Sequence, residues 1–533
     1  MWLKITQFRA GPDDPETRLP DLVTSLLQLP ATGIKNWRIL RKSLDARHKS
    51  PVFIYTLIFE VELTSSELDS VREQHPEVSV YQLKPFPAVI KKSAGPALRP
   101  VIVGAGPAGL FAGLRLAAAG FRPLLLERGD YLTERIAKVA AFWREGSLDP
   151  DSNIQYGIGG AGTFSDGKLT TRVKHPLIPG ILQTLVDLGA PPEILYWQYP
   201  HIGTDLLRVA VEKLAQQIID CGGEIRYRHC LTDLTLKQSR LQTITINNRV
   251  RMEVDLLLLA VGNSARDVYR MLLNRGIHLT AKPFAVGVRI EHPQEIIDRA
   301  QYGRWAGHPR LGAAEYHLTY QHPGSGRGVY SFCMCPGGMV IGAASAAGGV
   351  VTNGMSYQAR DSGVANAALV ATVNQADFGA ATPLAGMEWQ ERLEERAFTA
   401  GGGGFRAPAQ RVADFLAQQP TAVFGGLIPS YRPGVTAANL WEILPAGICT
   451  AISDSIKYFG RRIKNFAWPE AVLTGVETRT SAPVKILRNE DRETEQIGGI
   501  YPIGEGAGYA GGIVSSALDG LKTAELLVER YGS

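Results

Sequence analysis

Cysteine is scarce: the chain has five in 533 residues, at positions 221, 230, 333, 335 and 449. So sparse and odd a set cannot build a disulfide framework, and the expected setting is a reducing cytoplasm. Long apolar runs are also missing. Leu256 to Val261, the longest beside a strand signal, is far too short to span a bilayer. Met1-Trp2-Leu3-Lys4-Ile5 does not open like a secretory signal, so no membrane partner is expected. Charge of one sign barely dominates, with 56 Lys+Arg against 51 Asp+Glu. A net +5 gives no argument for nucleic acid from the chain as a whole. His201, His292, His317 and His322 lack ligand spacing to acids or cysteines, and no metal is assigned.

Glycine is what the chain has in excess, with 57 residues clustered in loops. The organising stretch runs from the short apolar strand Val101-Ile102-Val103 into Gly104-Ala105-Gly106-Pro107-Ala108-Gly109. In this GxGxxG the first glycine makes the turn, the second admits a pyrophosphate and the third lets helix pack on strand. The helix amino terminus faces the phosphates with free N–H groups and a partial positive charge. A second strand, Pro123 to Leu126, ends on Glu127, 23 residues after Gly104. That spacing suits an acid on a ribose 2′-OH and leaves NAD or FAD as the ligand, although the adjacent Arg128 could accept a 2′-phosphate. The irregular run Tyr156 to Lys168 follows. Its backbone N–H groups, with Gly160, Ala161, Gly162, Thr163, Ser165, Asp166, Gly167 and Lys168, suit a diphosphate or a flavin edge.

The rest of the chain divides around this unit. Residues 1–92 are expected to form a small α+β module, with a helix over Leu22–Leu29 capped by Asp21 and a strand over Val52–Val61. Between them Lys35, Arg38, Arg41, Lys42, Arg47 and Lys49 stand against Asp45 alone. That segment is either an RNA contact or, more simply, a solvated face or a contact to the nucleotide domain. Lys91 to Pro100 looks like a linker. A dinucleotide domain is expected over 93–275, with a helix over Thr204–Asp220 and a buried parallel strand over Val254–Gly262, where Ala260 and Gly262 reach the ligand edge. Residues 276–478 differ in texture and are expected to form an inserted substrate domain. The nucleotide signature resumes over 479–533, where a strand and the turn Gly504-Glu505-Gly506-Ala507-Gly508 lead through Gly511-Gly512-Ile513 into a helix over Val514–Arg530. The run Glu391 to Arg396 is expected to be a solvated helix face.

Gly104 to Glu127 together with Tyr501 to Gly520 resembles the two-part FAD site of glutathione-reductase-like flavoproteins, in the branch without a second dinucleotide domain. More narrowly, the chain resembles a bacterial group of uncharacterised FAD-dependent dehydrogenases. The motifs are Gly162 to Arg172, Ser331 to Gly338, Ala407 to Gln410 and Val476 to Val484. The resemblance implies an α/β Rossmann-like FAD-binding domain with an inserted α+β substrate domain and the small amino-terminal module. It implies that Glu505 reaches the ribitol and that Gly508, Gly511, Gly512 and Ile513 lie against the flavin ring. It departs from the group's Ala-Thr-Gly strand at Val261. The implied function is an oxidoreductase for a small organic substrate, with NAD(P)H as a transient electron donor. An RNA-modifying flavoenzyme and a non-catalytic flavin-holding partner are the alternatives.

Cys333 and Cys335 are the candidate chemical residues, against a reading as two small buried hydrophobes. On a regular strand their side chains face one way with Cα atoms about 6.6 Å apart, which disfavours a dithiol relay. Cys335 is expected nearer the flavin ring than the other cysteines outside the pair, of which Cys221 and Cys230 read as structural.

Overall fold

The structure, a computed structural model, describes residues 1–29, 33–48, 50–83, 99–379 and 381–532. Pro30, Lys49 and most of the expected linker, with the expected boundary near residue 92, lie outside the described residues.

Five short parallel strands form the nucleotide sheet. Their order is Ile500–Pro502, Leu257–Leu259, Val101–Val103, Leu124–Leu126 and Glu224–Arg226. The four strands other than Glu224–Arg226 are buried along their whole length, as expected of a sheet covered on both faces. On one face lie the helices Pro107–Ala118, Gly203–Asp220 and Ile513–Tyr531, whose apolar residues form one core. On the other lie a three-stranded antiparallel meander and the helix Arg266–Asn274. The strand expected over 254–262 pairs only over Leu257–Leu259, because the chain swings into a left-handed turn at Gly262, φ +75°.

The last strand of that sheet returns from far away in sequence. Between it and its neighbour the chain builds a seven-stranded sheet, ordered Thr319–Gln321, Gly328–Cys335, Val364–Val373, Phe284–Pro293, Val472–Glu477, Ala407–Arg411 and Val435–Ala437. All its pairs are antiparallel except the last. The chain therefore has a Rossmann-like parallel-sheet domain interrupted by an α+β domain.

The amino-terminal sheet has the order Asn36–Asp45, Val52–Glu60, Trp2–Ala10, Val78–Val80. The helix beside it spans Leu19–Leu26 and is preceded by Arg18, so Asp21 lies in its first turn instead of capping it. The apolar interior of this module is continuous with that of the inserted domain, so it is not an isolated unit. Its edge strand also meets the nucleotide domain, where Lys42 exchanges backbone hydrogen bonds with Tyr196 and Gln198. The Lys42 ammonium sits over Phe53 and Trp197, at 4.7 and 4.8 Å from the ring centres, and pairs with Glu16.

Three expectations are corrected. Glu391 to Arg396 is a solvated face only in part: Arg392, Glu395 and Arg396 are exposed, but Glu394, in the helix Ala385–Ala400, is 2% exposed and lies between two arginines. Cys221 is exposed at the end of the Gly203–Asp220 helix and so cannot act as a packed structural cysteine. Cys333 and Cys335 do not occupy a regular strand. Phe332 pairs with Ala368 and Cys335 with Asn366, so three steps on one strand face two on the other. This is a bulge, and Cys333 sits in it at φ +43°.

Candidate dinucleotide and substrate site

Three helical amino termini converge above the carboxyl ends of the parallel strands. They belong to Pro107–Ala118 after Gly106, the 3-10 turn Gly160–Phe164 after Gly159, and Ile513–Tyr531 after Gly512. None has a side-chain cap; the Gly160 N–H already donates to the Gly157 carbonyl at 2.9 Å, and it is the N–H groups of Ala161 and Gly162 and of the first turns of the other two helices that are left for an anion. A Cβ on Gly106 would sit 3.8 Å from the Gly160 Cα, so two bare backbones face each other across the cradle. On the other side, a Cβ on Gly162 would stand 3.3 Å from the Ile513 side chain. The GxGxxG turn requires its glycines in two places. Gly104 has φ +100° and its missing Cβ would fall 2.3 Å from the Ala260 carbonyl oxygen. A Cβ on Gly109 would fall 2.0 Å from the Gly104 carbonyl oxygen. Pro107 and Ala108 complete this first turn, and Gly504 packs on it, its missing Cβ pointing 2.7 Å from that of Ala108.

Glu127 is 4% exposed at the end of its strand. Its carboxylate accepts N–H bonds from Ala105 at 2.8 Å, Gly129 at 2.8 Å and Gly157 at 2.9 Å, tying both glycine loops to one acid. Arg128 stacks on Tyr156, donates to the Cys230 sulfur at 2.9 and 3.2 Å and pairs with Asp267. Those partners occupy the guanidinium that could otherwise meet a 2′-phosphate, and they give Cys230 a polar role.

Arg135 was not singled out in the sequence, and it organises the second loop. Fully buried, it donates to the carbonyls of Ile158 at 2.6 Å, Asn153 at 2.8 Å, and Ile154 and Gly160 at 2.9 Å. The loop is wound around this one guanidinium. Arg135 and Arg208 flank the Phe164 ring, at 4.9 and 4.4 Å from its centre, and place positive charge under the cradle. The signal was an arginine among Leu132, Val139 and Phe142 on one apolar helix face.

The polar side chains of the same loop point inward. Thr163 donates to the Ile158 carbonyl at 3.1 Å, and Ser165 donates to the Gly162 carbonyl at 2.7 Å and accepts from the Gly167 N–H at 3.0 Å. Asp166 is fully buried, accepts from Ser356 and pairs with Arg360 at 2.7 Å and Lys168 at 3.0 Å. Burial would raise its carboxyl, but the Lys168 and Arg360 cations outweigh that and hold it well below the carboxylate range. These hydroxyls and this acid therefore shape the loop, and the donors it leaves for a phosphate are backbone N–H groups. Lys168 also approaches Glu315 at 3.5 Å, and its electrostatic neighbours include Cys335. His201, bridged to Lys168 through the backbone, is drawn down to about 4 by burial and then by Arg360.

At the opposite end Glu505 accepts from Asn263 at 2.8 Å and from the Gly512 N–H at 3.5 Å. Burial raises its carboxyl against those bonds. Gly262 and Gly506 meet beside it, held by the Tyr269 hydroxyl, which donates to the Gly506 carbonyl at 2.7 Å. Gly511 and Gly512 face open space at the head of the last helix, whereas Gly508 is packed against Lys485.

Three cations of the basic amino-terminal segment have acidic partners, while Arg38 and Arg41 are exposed. Lys35 pairs with Glu62 at 2.5 Å, Arg47 with Asp45 at 2.8 Å, and Lys42 is occupied as described. Among the described residues no group of three or more His, Cys, Asp or Glu side chains could hold a metal ion. No described helix is long and apolar enough to cross a membrane.

Residues 283–480 match the family described as FAD-dependent protein, C-terminal domain-like. Residues 102–166 match the NAD(P)-binding Rossmann-like domain and residues 3–60 a domain of unknown function. An uncharacterised protein of Clostridium beijerinckii is 42% identical over 531 residues, covering 100% of this chain and 99% of the relative. Among solved structures the chain is similar to glycine oxidase from Bacillus cereus, 9% identical at a TM-score of 0.37 over 81% of this chain and 95% of that one. It is also similar to a mutant of the halogenase PltM in complex with FAD, 12% identical at 0.38 over 81% and 70%.

Proposed function

The chain belongs to the same family as the Clostridium beijerinckii protein, a family of FAD-dependent flavoproteins, and from that membership we propose an oxidoreductase that acts on a small organic substrate. The observation that carries this reading is the convergence of three uncapped amino termini between Glu127 and Glu505. We place the FAD in a two-part site of the glutathione-reductase-like kind. Backbone N–H groups of Gly106, Ala108 and Gly109, and of Ala161 and Gly162, hold the pyrophosphate. Glu127 orients the adenosine ribose and Arg128 borders the adenine. Glu505 faces the ribitol, and the Gly511-Gly512-Ile513 terminus faces the pyrimidine edge of the ring, where donors and helix dipole stabilise negative charge.

FAD supplies the two-electron chemistry, and the protein supplies position and electrostatics. The substrate is placed at the seam where Lys168, Asp166 and Arg360 meet the strand bearing Cys333 and Cys335. Cys335 then lies nearer the ring than Cys221, Cys230 or Cys449, which occupy a helix end, the Arg128 rim and the inserted core. The proposed location is cytoplasmic and the proposed donor is a reduced nicotinamide dinucleotide that binds transiently.

The test is anaerobic. The purified protein is expected to be yellow, and its flavin band to bleach with NADH or NADPH and return with the oxidised substrate. Protein that takes up no FAD refutes the site. Protein that holds FAD but is reduced by neither donor, nor by any substrate in a broad screen, refutes turnover.

A further inference from the structure

The two most exposed large apolar side chains among the described residues lie in one loop. Ile428 is 85% exposed and Val423 71%, and Phe424 and Leu427 between them are half-buried. From Ala422 to Pro429 the loop carries no charged side chain and no side-chain hydrogen-bonding group. It belongs to the irregular connection over 417–434, between the helix Val412–Leu416 and the strand Val435–Ala437. Connections longer than about 12–15 residues without secondary structure are uncommon in compact domains and are ordinarily functional.

The loop is anchored at both feet and at its middle. Thr421 donates to Asp414 at 2.6 Å and accepts from the Arg411 N–H at 2.8 Å. At the other foot Ser430 donates to Glu291 through its hydroxyl at 2.5 Å and through its N–H at 3.0 Å. Between them the Gly426 N–H donates to Glu470 at 3.2 Å. A Cβ on Gly426 would fall 3.2 Å from the Trp468 ring and 2.7 Å from the Glu470 Cβ, so the backbone lies flat against these two residues. Val423 and Ile428 are thereby left in water on either side of the anchored glycines, an arrangement that burial in a partner would relieve.

Positive charge surrounds this apolar tip. Trp468 ends a second loop, which leaves the helix Ala446–Gly460 and returns to it, a Cβ on Gly460 lying 3.2 Å from that of Ala467. The second loop carries Arg461, Arg462 and Lys464, all exposed. Arg462 stacks on Tyr458 and accepts no acid, donating instead to the Tyr458 hydroxyl at 2.7 Å. Arg432, just past the foot of the apolar loop, is exposed as well. Among the described residues none of these cations has an acid within ion-pair distance. The acids nearby are already paired, Glu470 and Asp414 with Arg411 at 2.9 and 2.8 Å and Asp454 with Lys457 at 3.3 Å.

We propose that this face docks on a bilayer that carries anionic lipid. Val423, Phe424, Leu427 and Ile428 enter the boundary between headgroups and acyl chains, and Arg432, Arg461, Arg462 and Lys464 meet the lipid phosphates and carboxylates. An apolar tip beside unpaired cations matches such a surface, because the tip leaves water while the cations meet the negative potential within a Debye length. Trp468, half-buried beside the loop, suits the headgroup level, where amphipathic rings concentrate. The contact is peripheral and needs no spanning helix. The same face of a second copy is a poor occupant, since a two-fold contact would set these cations against one another.

The test uses the full chain as purified. Sedimentation with vesicles of phosphatidylcholine is compared with sedimentation with an equal mixture of phosphatidylcholine and phosphatidylserine. The protein is expected to pellet with the mixture at low salt, to be released as salt is raised, and to bind phosphatidylcholine alone far more weakly. Each cation at such a surface contributes about fivefold, so Arg461→Gln, Lys464→Gln is expected to lower the partition coefficient roughly 25-fold. Val423→Asp, Ile428→Asp is expected to abolish binding to both vesicles. All four positions are exposed, and a thermal melt like that of the wild type shows that the fold is kept. If one pair of substitutions lowers the melt, the other pair decides. No sedimentation with the mixture, or an unchanged partition coefficient in the folded variants, overturns the proposal. So does a stable dimer in analytical ultracentrifugation that Val423→Asp, Ile428→Asp disperses, because a second copy would then cover the loop.

Discussion

Arg135 has four carbonyl partners and, among the described residues, no acid within ion-pair distance. A planar fork is what lets one side chain bind carbonyls from Asn153 to Gly160, and lysine cannot reproduce it. Arg135→Lys is therefore expected to lower FAD occupancy well below one per chain while leaving far-ultraviolet circular dichroism close to wild type. Flavin absorbance per protein after gel filtration measures it. Glu127 works in the same way from the other side of the cradle. Glu127→Ala removes the acceptor of three backbone N–H groups as well as the ribose contact. The expected loss is about 1–3 kcal/mol of FAD affinity, roughly a 5–150-fold rise in Kd by flavin fluorescence titration. Arg135's role could not be read from neighbours in sequence, because the carbonyls that it binds lie 18 to 25 residues away. Glu127 was legible because strand end and spacing are local properties.

At the scale of elements, the second and third glycines of the GxGxxG turn separate folding from binding. Gly106 has room for a side chain only where the pyrophosphate would lie, so Gly106→Val is expected to give folded, colourless protein. Gly109 has no room, since its Cβ would strike the Gly104 carbonyl, so Gly109→Val is expected to fail to fold. Thermal melts and the flavin spectrum distinguish the two. The helix Ala385–Ala400 supplies a second case. Its Glu394 accepts from Arg266 at 2.8 Å and from Arg479 at 2.9 Å, and from Thr478 at 2.7 Å. Glu394→Gln leaves two buried guanidiniums short of their counter-ion and is expected to cost about 3–5 kcal/mol in denaturant unfolding. The charge run around Glu394 has the composition of a solvated face. Only the approach of the Arg266–Asn274 helix and of Arg479 turns one of its acids inward.

The whole molecule is held across its seams by acids. Glu394 joins the inserted domain to the nucleotide domain through Arg266, and Asp166 joins the cradle loop to Arg360. Burial acts to raise both carboxyls, but the cations outweigh it and hold both below the ordinary carboxylate range. The sign follows from that depression. Their contribution to stability is fully present above the unfolded carboxyl range and is lost as pH falls toward the folded values. FAD release and unfolding are therefore expected together as pH drops below about 4, and Glu394→Gln, which has no charge to lose there, is expected to flatten that limb. Flavin fluorescence and circular dichroism followed against pH measure both. A stability that rose on acidification through this range would contradict the assignment.

Strand, turn, helix, strand and acid from Val101 to Glu127 follow from residues near one another in the chain, and so does the recurrence of the pattern at 500–531. These the sequence determined by itself, because turn chemistry, helix propensity and strand alternation act over a few residues. The family of the chain was legible for the same reason. What only the tertiary structure decided depends on groups brought together from distant segments. Arg135 winds a loop that composition describes merely as glycine-rich. Glu394 enters the core, and the amino-terminal module shares its interior with the inserted domain. Cys333 is the sharpest case. Alternation along a strand would turn both sulfurs to one face, but the two-to-three pairing against Ala368 and Asn366, fixed by Arg289 and Glu477, puts Cys333 in the left-handed region and folds the Cys335 sulfur back on the Cys333 carbonyl. A bulge belongs to a pair of strands, and one strand's residues do not specify it.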